Sequence, residues 1–244
     1  MAVMGLIRDV YRTVEDIFYP ARCPICDGVR PVGERGFCEK CKDKPRIIYE
    51  PYCMKCGRET DAGEEYCEEC RGKDFNFERG RALCLYDTNM RHSVSNFKYH
   101  KRQEYASSYA KLMYEELGDF MARINPSFLV PIPIHRSRYY KRGYNQAELL
   151  ARELSLLTGI PWDNLLIRVK NTTRQKELDK EERRSNLREA FSINPEKNIN
   201  SGIDRIMLVD DIYTTGSTLD ECAFILKKAG VKEVYFVTLC QGKT

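Results

Sequence analysis

The segment from Arg205 to Thr218 constrains the fold more than any other part of the sequence. Ile206 to Val209 is an unbroken apolar run, which predicts a strand buried on both faces. Asp210 and Asp211 follow where that strand is expected to end, and a turn of small hydroxylated residues comes next. An apolar pattern at helical spacing then runs up to Gly230. Strand, loop and helix in this order place the loop at the carboxyl end of a parallel sheet, where open α/β folds bind ligands.

The loop after the two acidic residues suits a phosphorylated sugar. Gly216 leaves the backbone N–H groups uncovered at the start of the helix, where the partial positive charge favours a phosphate. Asp210 and Asp211 are predicted to accept hydrogen bonds from two sugar hydroxyls, and one of them is a candidate Mg²⁺ contact. The predicted phosphate-binding residues are Thr214, Thr215, Gly216, Ser217 and Thr218.

This pattern resembles the phosphoribosyl-pyrophosphate (PRPP) signature of type I phosphoribosyltransferases, in which four apolar residues, two acids and two further residues precede Thr-Thr-Gly-Ser-Thr. Tyr213 is bulkier than the aliphatic residue common at its position. A Walker B strand would require G-x-x-x-x-G-K-[ST], which the sequence lacks. A response-regulator acidic pocket would require further partners that are also missing. The motif predicts a binding loop and does not by itself establish a reaction.

Composition limits where the protein acts and how it binds anions. The net charge is only +4, from 40 Lys and Arg against 36 Asp and Glu, so anion binding must come from local patches. No apolar run is long enough to span a bilayer, and the acidic residues near the N-terminus argue against a signal peptide. We therefore expect a cytoplasmic protein, with peripheral association at the inner face of the membrane left open. The eleven cysteines then need a role other than disulfides.

Eight of the cysteines form four CxxC knuckles between residues 21 and 72. Two knuckles supply the four thiolates of a tetrahedral zinc site, so eight cysteines suit two structural Zn²⁺ ions. Because this segment has little apolar core, zinc binding is expected to drive its folding. An interleaved pairing of the knuckles remains open. The simplest pairing gives two tandem zinc ribbons, with Cys23, Cys26, Cys38 and Cys41 in one site and Cys53, Cys56, Cys67 and Cys70 in the other.

The remaining segments give three predicted units. Residues 1–20 form an amphipathic helix ended by Pro20, which packs on the chain, docks a partner or lies on a membrane surface. Residues 21–74 form the double zinc-ribbon domain. Residues 75–244 form an α/β domain with alternating strands and helices, in which Cys84, Cys222 and Cys240 are predicted core residues.

A basic loop follows the predicted strand Phe128–Ile132. Three tyrosines are interleaved with its cations, a composition that suits a nucleic-acid backbone with stackable bases. The cations also suit a pyrophosphate, which arginine can hold with two hydrogen bonds, and a solvated surface loop is the third reading. Asn145 is predicted to cap the helix that starts at Gln146. The candidate phosphate contacts are Arg136, Arg138, Lys141 and Arg142.

The motifs taken together resemble the ComF/GntX family, and within it the ComFC type. The resemblance covers nearly the whole chain, and its motifs agree in order: tandem CxxC knuckles, Val-Pro-Ile-Pro, Lys141 to Leu149, Arg174-Gln175, and the acidic loop. It implies a double zinc ribbon joined to a Rossmann-like type I phosphoribosyltransferase domain. By that match Asp210 and Asp211 would hold ribose hydroxyls of Mg²⁺-bound PRPP, and Thr214–Thr218 would hold its 5′-phosphate. The segment from Asn171 to Arg188 would be the mobile loop that closes over the site.

The resemblance also implies a cellular role in natural transformation, with incoming single-stranded DNA handled in the cytosol. The implied partners are a ComFA-type helicase and the recombination mediator that receives the strand. Because the sequence ends soon after its last predicted strand, a C-terminal hood for a nucleobase is not expected, which puts a free-base substrate in doubt.

Three functional hypotheses follow. The first is a DNA-handling protein with a phosphoribosyl-binding pocket. The second is an active phosphoribosyltransferase with an unidentified nucleobase or nucleotide acceptor, for which no side chain stands out as a catalytic base. The third is a zinc adaptor whose α/β domain is only a scaffold.

Overall fold

A computed structural model describes residues 20–170, 190–197, 199 and 202–242. The predicted N-terminal helix and the predicted mobile segment 171–188 therefore lie outside the described residues. The strands are β1 (Gly80–Leu85), β2 (Phe128–Pro131), β3 (Leu166–Arg168), β4 (Phe191–Ile193), β5 (Arg205–Tyr213) and β6 (Glu233–Gln241). The helices are α1 (Thr88–Tyr99), α2 (Tyr105–Ile124), α3 (Arg136–Arg142), α4 (Gln146–Thr158) and α5 (Ser217–Lys228).

Four of the strands form a parallel sheet in the order β1-β6-β5-β2. The residues from Ile206 to Val209 are fully buried, as a central strand covered on both faces requires. One face packs against α1, α2 and α4, and the other packs against α5 and the antiparallel pair β3–β4. The sequence prediction of a parallel α/β sheet is confirmed, and Cys84, Cys222 and Cys240 are buried core residues.

The central strand is longer than its apolar run indicates. We expected it to end at Val209, but β5 stays paired with β6 as far as Tyr213. Asp210 lies opposite Thr238, and Tyr213 lies opposite Gln241. The backbone pairing continues because β6 is equally long, so both acidic residues sit within the strand rather than after it.

The basic segment after β2 is a short helix and not the predicted loop. The ring nitrogen Nδ1 of His135 accepts a hydrogen bond from the backbone N–H of Ser137 at its start. Gly143 ends it in the left-handed region, at φ +84°. No residue of α3 is buried, so its amphipathic signal was too weak to indicate a helix. Asn145 caps α4 as predicted, accepting a hydrogen bond from the N–H of Ala147.

The first zinc ribbon attaches to the α1–α2 side of the domain through Asp27. The carboxylate of Asp27 accepts a hydrogen bond from the hydroxyl of Tyr105 at 2.6 Å and pairs with Arg102 at 2.5 Å. The hydroxyl of Ser93 on α1 donates to the backbone carbonyl of Pro24 in the same ribbon. These polar contacts join a segment with little apolar core to the larger domain.

Among the residues that the structure describes, no helix is both long enough and apolar enough to cross a membrane.

Replacing Asp27 tests the attachment of the first ribbon. Asp27→Ala removes the acceptor for Tyr105 and Arg102 and strains a residue at φ +58°, so unfolding in urea should require roughly 1–3 kcal/mol less free energy. Asp27→Asn keeps an oxygen acceptor and tolerates the left-handed conformation, so it should lose less than half as much. Equal losses in the two variants would mean that these hydrogen bonds contribute little.

Candidate functional site

The eight CxxC cysteines form two clusters in the sequential pairing. In each cluster the four sulfur atoms all lie within 4.8 Å of one another. The Sγ atoms of Cys26 and Cys38 are 3.8 Å apart, and those of Cys56 and Cys67 are 3.7 Å apart. A tetrahedral Zn²⁺ with bonds of about 2.3 Å to sulfur separates its ligands by about 3.8 Å. The two tetracysteine clusters therefore fit two structural zinc sites.

Asp211 forms an ion pair that the sequence did not indicate. The Nζ atom of Lys98, in the last turn of α1, lies 2.8 Å from the Oδ2 atom of Asp211. Only 17% of the Lys98 side chain and 12% of the Asp211 side chain are exposed. Burial opposes the charged form of Lys98, but the carboxylate of Asp211 outweighs it and raises the pKa of the lysine. A buried cation from α1 thus holds one of the two predicted sugar ligands.

Asp210 faces different neighbours because successive side chains of a strand alternate between its faces. Burial raises its pKa to about 7, and the adjacent charge of Asp211 adds to this effect. The backbone N–H of Asp211 lies 2.8 Å from the Oδ1 atom of Asp210 and lowers the pKa of Asp210. The positive charges of Lys98 and Arg168 also lower it. A carboxyl group with a pKa this far above its ordinary value of 3.8 is typical of functional sites.

The predicted phosphate-binding loop has the geometry of an anion site. Gly216 precedes α5 at φ +78°, and no side-chain hydrogen bond caps that helix within the described structure. The first N–H groups of α5 have no partner inside the helix, so they remain available to an acceptor. The hydroxyl oxygens of Thr215 and Ser217 lie 3.0 Å apart. A small cavity lies between this loop and Asp210 and is lined by Thr214, Gly216, Ser217 and Thr218.

The basic helix α3 divides the four candidate cations into two groups. Arg138 and Arg142 are half-buried, whereas Arg136 and Lys141 are exposed. The positive charge of Arg142 opposes protonation of Lys98, which places it near the acid pair. Burial lowers the pKa of Arg168, and Arg138 lowers it further while Asp210 raises it. Arg142 therefore lies near Lys98 and Arg138 near Arg168, the two cations that act on the acid pair.

Two exposed tyrosines accompany these cations: Tyr99 at the end of α1, and Tyr140 on the other side of α3 from Arg138 and Arg142. The guanidinium of Arg142 lies 4.9 Å from the ring centre of Tyr99 and donates a hydrogen bond to Gln146 at 2.7 Å. The exposed fractions of Tyr99 and Tyr140 are 59% and 83%. A stacked arginine beside open aromatic rings can bind phosphates and nucleobases at once.

Sequence patterns did not indicate Lys98, Arg168 or Tyr99 as members of the site. Lys98 and Tyr99 end a helix whose other residues gave no chemical signal. Arg168 ends strand β3, and no motif marks it. The three residues share only their position: each lies at the end of a helix or strand near the carboxyl edge of the sheet.

The parallel sheet, the acid pair and the uncapped loop define a protein of the type I phosphoribosyltransferase fold that carries a double zinc ribbon. Comparison with protein families agrees. A double zinc ribbon domain matches residues 14–71, and a phosphoribosyl transferase domain matches residues 98–244.

Relatives among characterised proteins resemble nearly the whole chain. Competence protein F of Haemophilus influenzae is 33% identical over 221 residues, which cover 89% of this chain and 95% of that protein. Competence protein ComFC of Bacillus subtilis is 30% identical over 79% of this chain and 78% of its own length. DNA utilization protein YhgH of Escherichia coli strain K12 is 27% identical over 91% of this chain and 97% of its own. The chain belongs to the ComF/GntX family, as the motif order predicted.

Solved structures similar to this chain include an adenine phosphoribosyltransferase. It is 16% identical, with 60% of this chain and 75% of that chain covered and a TM-score of 0.35.

A double-mutant cycle tests the close approach of Gly216 to the hydroxyl of Tyr213. A Cβ atom at this position would lie 2.6 Å from the hydroxyl oxygen of Tyr213, and its φ of +78° disfavours alanine. Gly216→Ala should therefore lower the free energy of unfolding by roughly 1–3 kcal/mol. Tyr213→Phe removes the nearest atom but leaves the ring, so in that background the same substitution should cost at least about 0.5 kcal/mol less. Strict additivity in urea denaturation would contradict the contact.

Asp210→Asn should make the protein more stable above neutral pH. Because the pKa of Asp210 is raised to about 7 in the folded protein, its stabilising contribution is full below its unfolded pKa and is lost as pH rises through about 7. Asparagine keeps the acceptor for the Asp211 N–H without the charge. Urea denaturation should show the variant roughly 1–3 kcal/mol more stable than wild type at pH 8, and this gain should disappear near pH 4.

Asp204→Asn is the control for this pH dependence. Asp204 is exposed, and its ion pair with Lys232 lowers its pKa, so its contribution is lost as pH falls and its replacement should give no gain at pH 8. A gain for Asp204→Asn equal to that for Asp210→Asn would show that the effect comes from net charge and not from burial.

Proposed function

We propose that this chain is a ComFC-like protein of natural transformation that binds and handles incoming single-stranded DNA in the cytosol, with a phosphoribosyl-binding pocket at the carboxyl end of its sheet. The observation that carries the proposal is the rim formed by α3 and the end of α1. There Arg142 stacks on Tyr99 and lies near Lys98, the partner of Asp211.

The names of the relatives support the cellular part of this proposal. Two are competence proteins and one is a DNA utilization protein, each similar over most of its length. By the family resemblance, the partners are a ComFA-type helicase that delivers the strand and a recombination mediator that receives it.

The composition of the rim supports single-stranded DNA as the ligand. Arg138 and Arg142 are one helical turn apart, so both can contact successive phosphates of one strand. The exposed ring of Tyr99 beside Arg142 offers a stacking surface for an unpaired base, which a duplex would keep covered. The overall charge of only +4 means that this local patch must supply the attraction.

The pocket residues suit a phosphoribosyl group. The uncapped N–H groups at the start of α5 would donate to the 5′-phosphate, and the carboxylates of Asp210 and Asp211 would accept from sugar hydroxyls. Bound Mg²⁺ would neutralise a pyrophosphate, and Asp210 is the carboxylate open to the cavity that could contact it. The ammonium of Lys98 holds the carboxylate of Asp211 in place.

Fluorescence anisotropy with a labelled single-stranded oligonucleotide tests the DNA part. An Arg138→Gln/Arg142→Gln variant should bind at least about tenfold more weakly at near-physiological salt. Its plot of log K against log salt should be flatter by about 1.4, since each lost phosphate contact on a single strand contributes about 0.7. Unchanged binding would remove α3 from the proposed interface.

The matched control removes two charges from the opposite end of the sheet. Arg123 and Lys228 are exposed, and they end the helices α2 and α5 before the amino ends of β2 and β6. Arg123→Gln/Lys228→Gln should leave binding within about twofold of wild type. A second arm adds Mg²⁺-PRPP, and loss of the anisotropy signal would place the DNA at or near the acid pair.

An active phosphoribosyltransferase is the second candidate, favoured by the intact loop and acid pair. In such an enzyme the protein mainly positions the sugar phosphate and stabilises the charge of the leaving pyrophosphate. Arg138 and Arg142 would then face the pyrophosphate. Release of pyrophosphate from PRPP with a nucleobase or nucleotide, lost in Asp210→Asn, would support this candidate; PRPP binding without any release would count against it.

A further inference from the structure

The two zinc ribbons are structural repeats. In the first, the N–H of Cys23 donates to the carbonyl of Gly28, and the N–H of Asp27 donates to the carbonyl of Cys23. In the second ribbon, the N–H of Cys53 donates to the carbonyl of Arg58, and the N–H of Gly57 donates to the carbonyl of Cys53. Asp27 and Gly57 also share the left-handed conformation, at φ +58° and +71°. The repeat aligns Asp27 with Gly57 and Gly28 with Arg58.

The equivalent turn positions make different attachments. Asp27 binds side chains at the start of α2, whereas Gly57 packs directly on the backbone of β1. A Cβ atom on Gly57 would lie 2.7 Å from the Cα atom of Arg81 and 2.8 Å from the carbonyl of Gly80. The glycine therefore lets the second ribbon approach the sheet closely enough to reach the phosphate-binding loop.

The second ribbon contacts the loop through Arg58. Its Nη2 atom lies 3.4 Å from the backbone carbonyl of Thr214, the first residue of the loop, and 2.9 Å from the Oε2 atom of Glu69 in the ribbon. Glycine occupies the equivalent position of the first ribbon and offers no such side chain. Only 19% of the Arg58 side chain is exposed, so its position is well defined.

Two further contacts fix the ends of the loop. Tyr213 shares a core with the second cysteine cluster, stacks on Phe236 at 5.3 Å, and places its hydroxyl under Gly216. On the other side, the carboxylate of Asp220 in the first turn of α5 accepts hydrogen bonds from the N–H and side-chain amide of Asn76, just beyond the ribbon. The loop is thus held before, at and after its phosphate-binding residues.

We propose that the second zinc ribbon positions the phosphate-binding loop, with Arg58 as its positioning residue, so that phosphate-ligand binding depends on the second tetracysteine site and not on the first. The ligand-binding part rests on the proposed function, whereas the effect on loop structure does not. Loss of the second cluster would release Arg58, Tyr213 and Asn76 together and leave the loop without these supports.

Hydrogen exchange of the full-length, zinc-loaded protein tests the loop directly. Arg58→Gln should raise exchange of the amides of residues 214–218 by roughly two- to fivefold, as expected for loss of one hydrogen bond. The metal content should stay at two zinc ions per chain. Arg58→Lys keeps a donor and should restore part of the protection. Titration with Mg²⁺-PRPP should show a parallel loss of affinity for Arg58→Gln.

Arg71→Gln is the matched control, because Arg71 forms an ion pair of the same length, 2.9 Å, with Glu64 in the same ribbon. It should leave exchange of the loop unchanged. Removal of ligands from the two zinc sites supplies the larger contrast. Cys56→Ser/Cys67→Ser should raise loop exchange and weaken PRPP binding at least about tenfold, whereas Cys26→Ser/Cys38→Ser should change either by less than about twofold.

The outcomes separate this proposal from the proposed function. Unchanged loop exchange in Arg58→Gln, or equal effects from the two double-cysteine variants, would overturn the positioning role. A wild-type protein that does not bind PRPP, but whose loop exchange responds to Arg58→Gln as expected, would overturn the phosphoribosyl pocket and leave the positioning role supported.

Discussion

The extended pairing of β5 with β6 is the constraint on which the rest of the site depends. Parallel strands gain a regular ladder of backbone hydrogen bonds, and here that ladder continues past the apolar run to Tyr213. The pairing fixes the two acidic residues on a regular strand, where Asp211 pairs with Lys98 and the charges of Lys98 and Arg168 both act on Asp210. It also fixes where the phosphate-binding loop begins, because Thr214 directly follows the last paired residue. A strand that ended at Val209 would leave all these groups on mobile backbone.

The charges of Asp210 and Asp211 oppose the stability of the folded protein. Two adjacent carboxylates on a buried strand repel each other, and desolvation penalises both. Lys98 offsets part of this cost for Asp211, whereas Asp210 retains a pKa raised to about 7. A core selected only for stability would place an apolar pair here, as β5 does from Ile206 to Val209. Carboxyl groups held in such a destabilising arrangement are common at functional sites, where stability and function usually oppose each other.

The sequence indicated the parts of the site that are contiguous and missed those that depend on tertiary packing. The loop and acid pair were predictable because their spacing carries the chemistry, and the cysteine pairing was the simplest one that spacing allowed. Lys98 belongs to another helix, and only the packing of α1 against β5 brings it to Asp211. Helix α3 was missed because its residues are polar on all sides, so its cap at His135 and its end at Gly143 define it. The length of β5 depends on its partner strand, which apolar periodicity does not report.

The position of α3 links the two functional candidates. Arg138 and Arg142 lie near Arg168 and Lys98, and under the proposal the same two guanidinium groups would bind either DNA phosphates or the pyrophosphate of PRPP. Each guanidinium can satisfy one bidentate anion at a time, so the two ligands exclude each other wherever both bind. The second ribbon contacts the loop after β5 through Arg58, which lies 3.4 Å from the carbonyl of Thr214. Under the proposed function, a phosphoribosyl ligand that shares these arginines with DNA would couple occupancy of the pocket to DNA binding even without a chemical step.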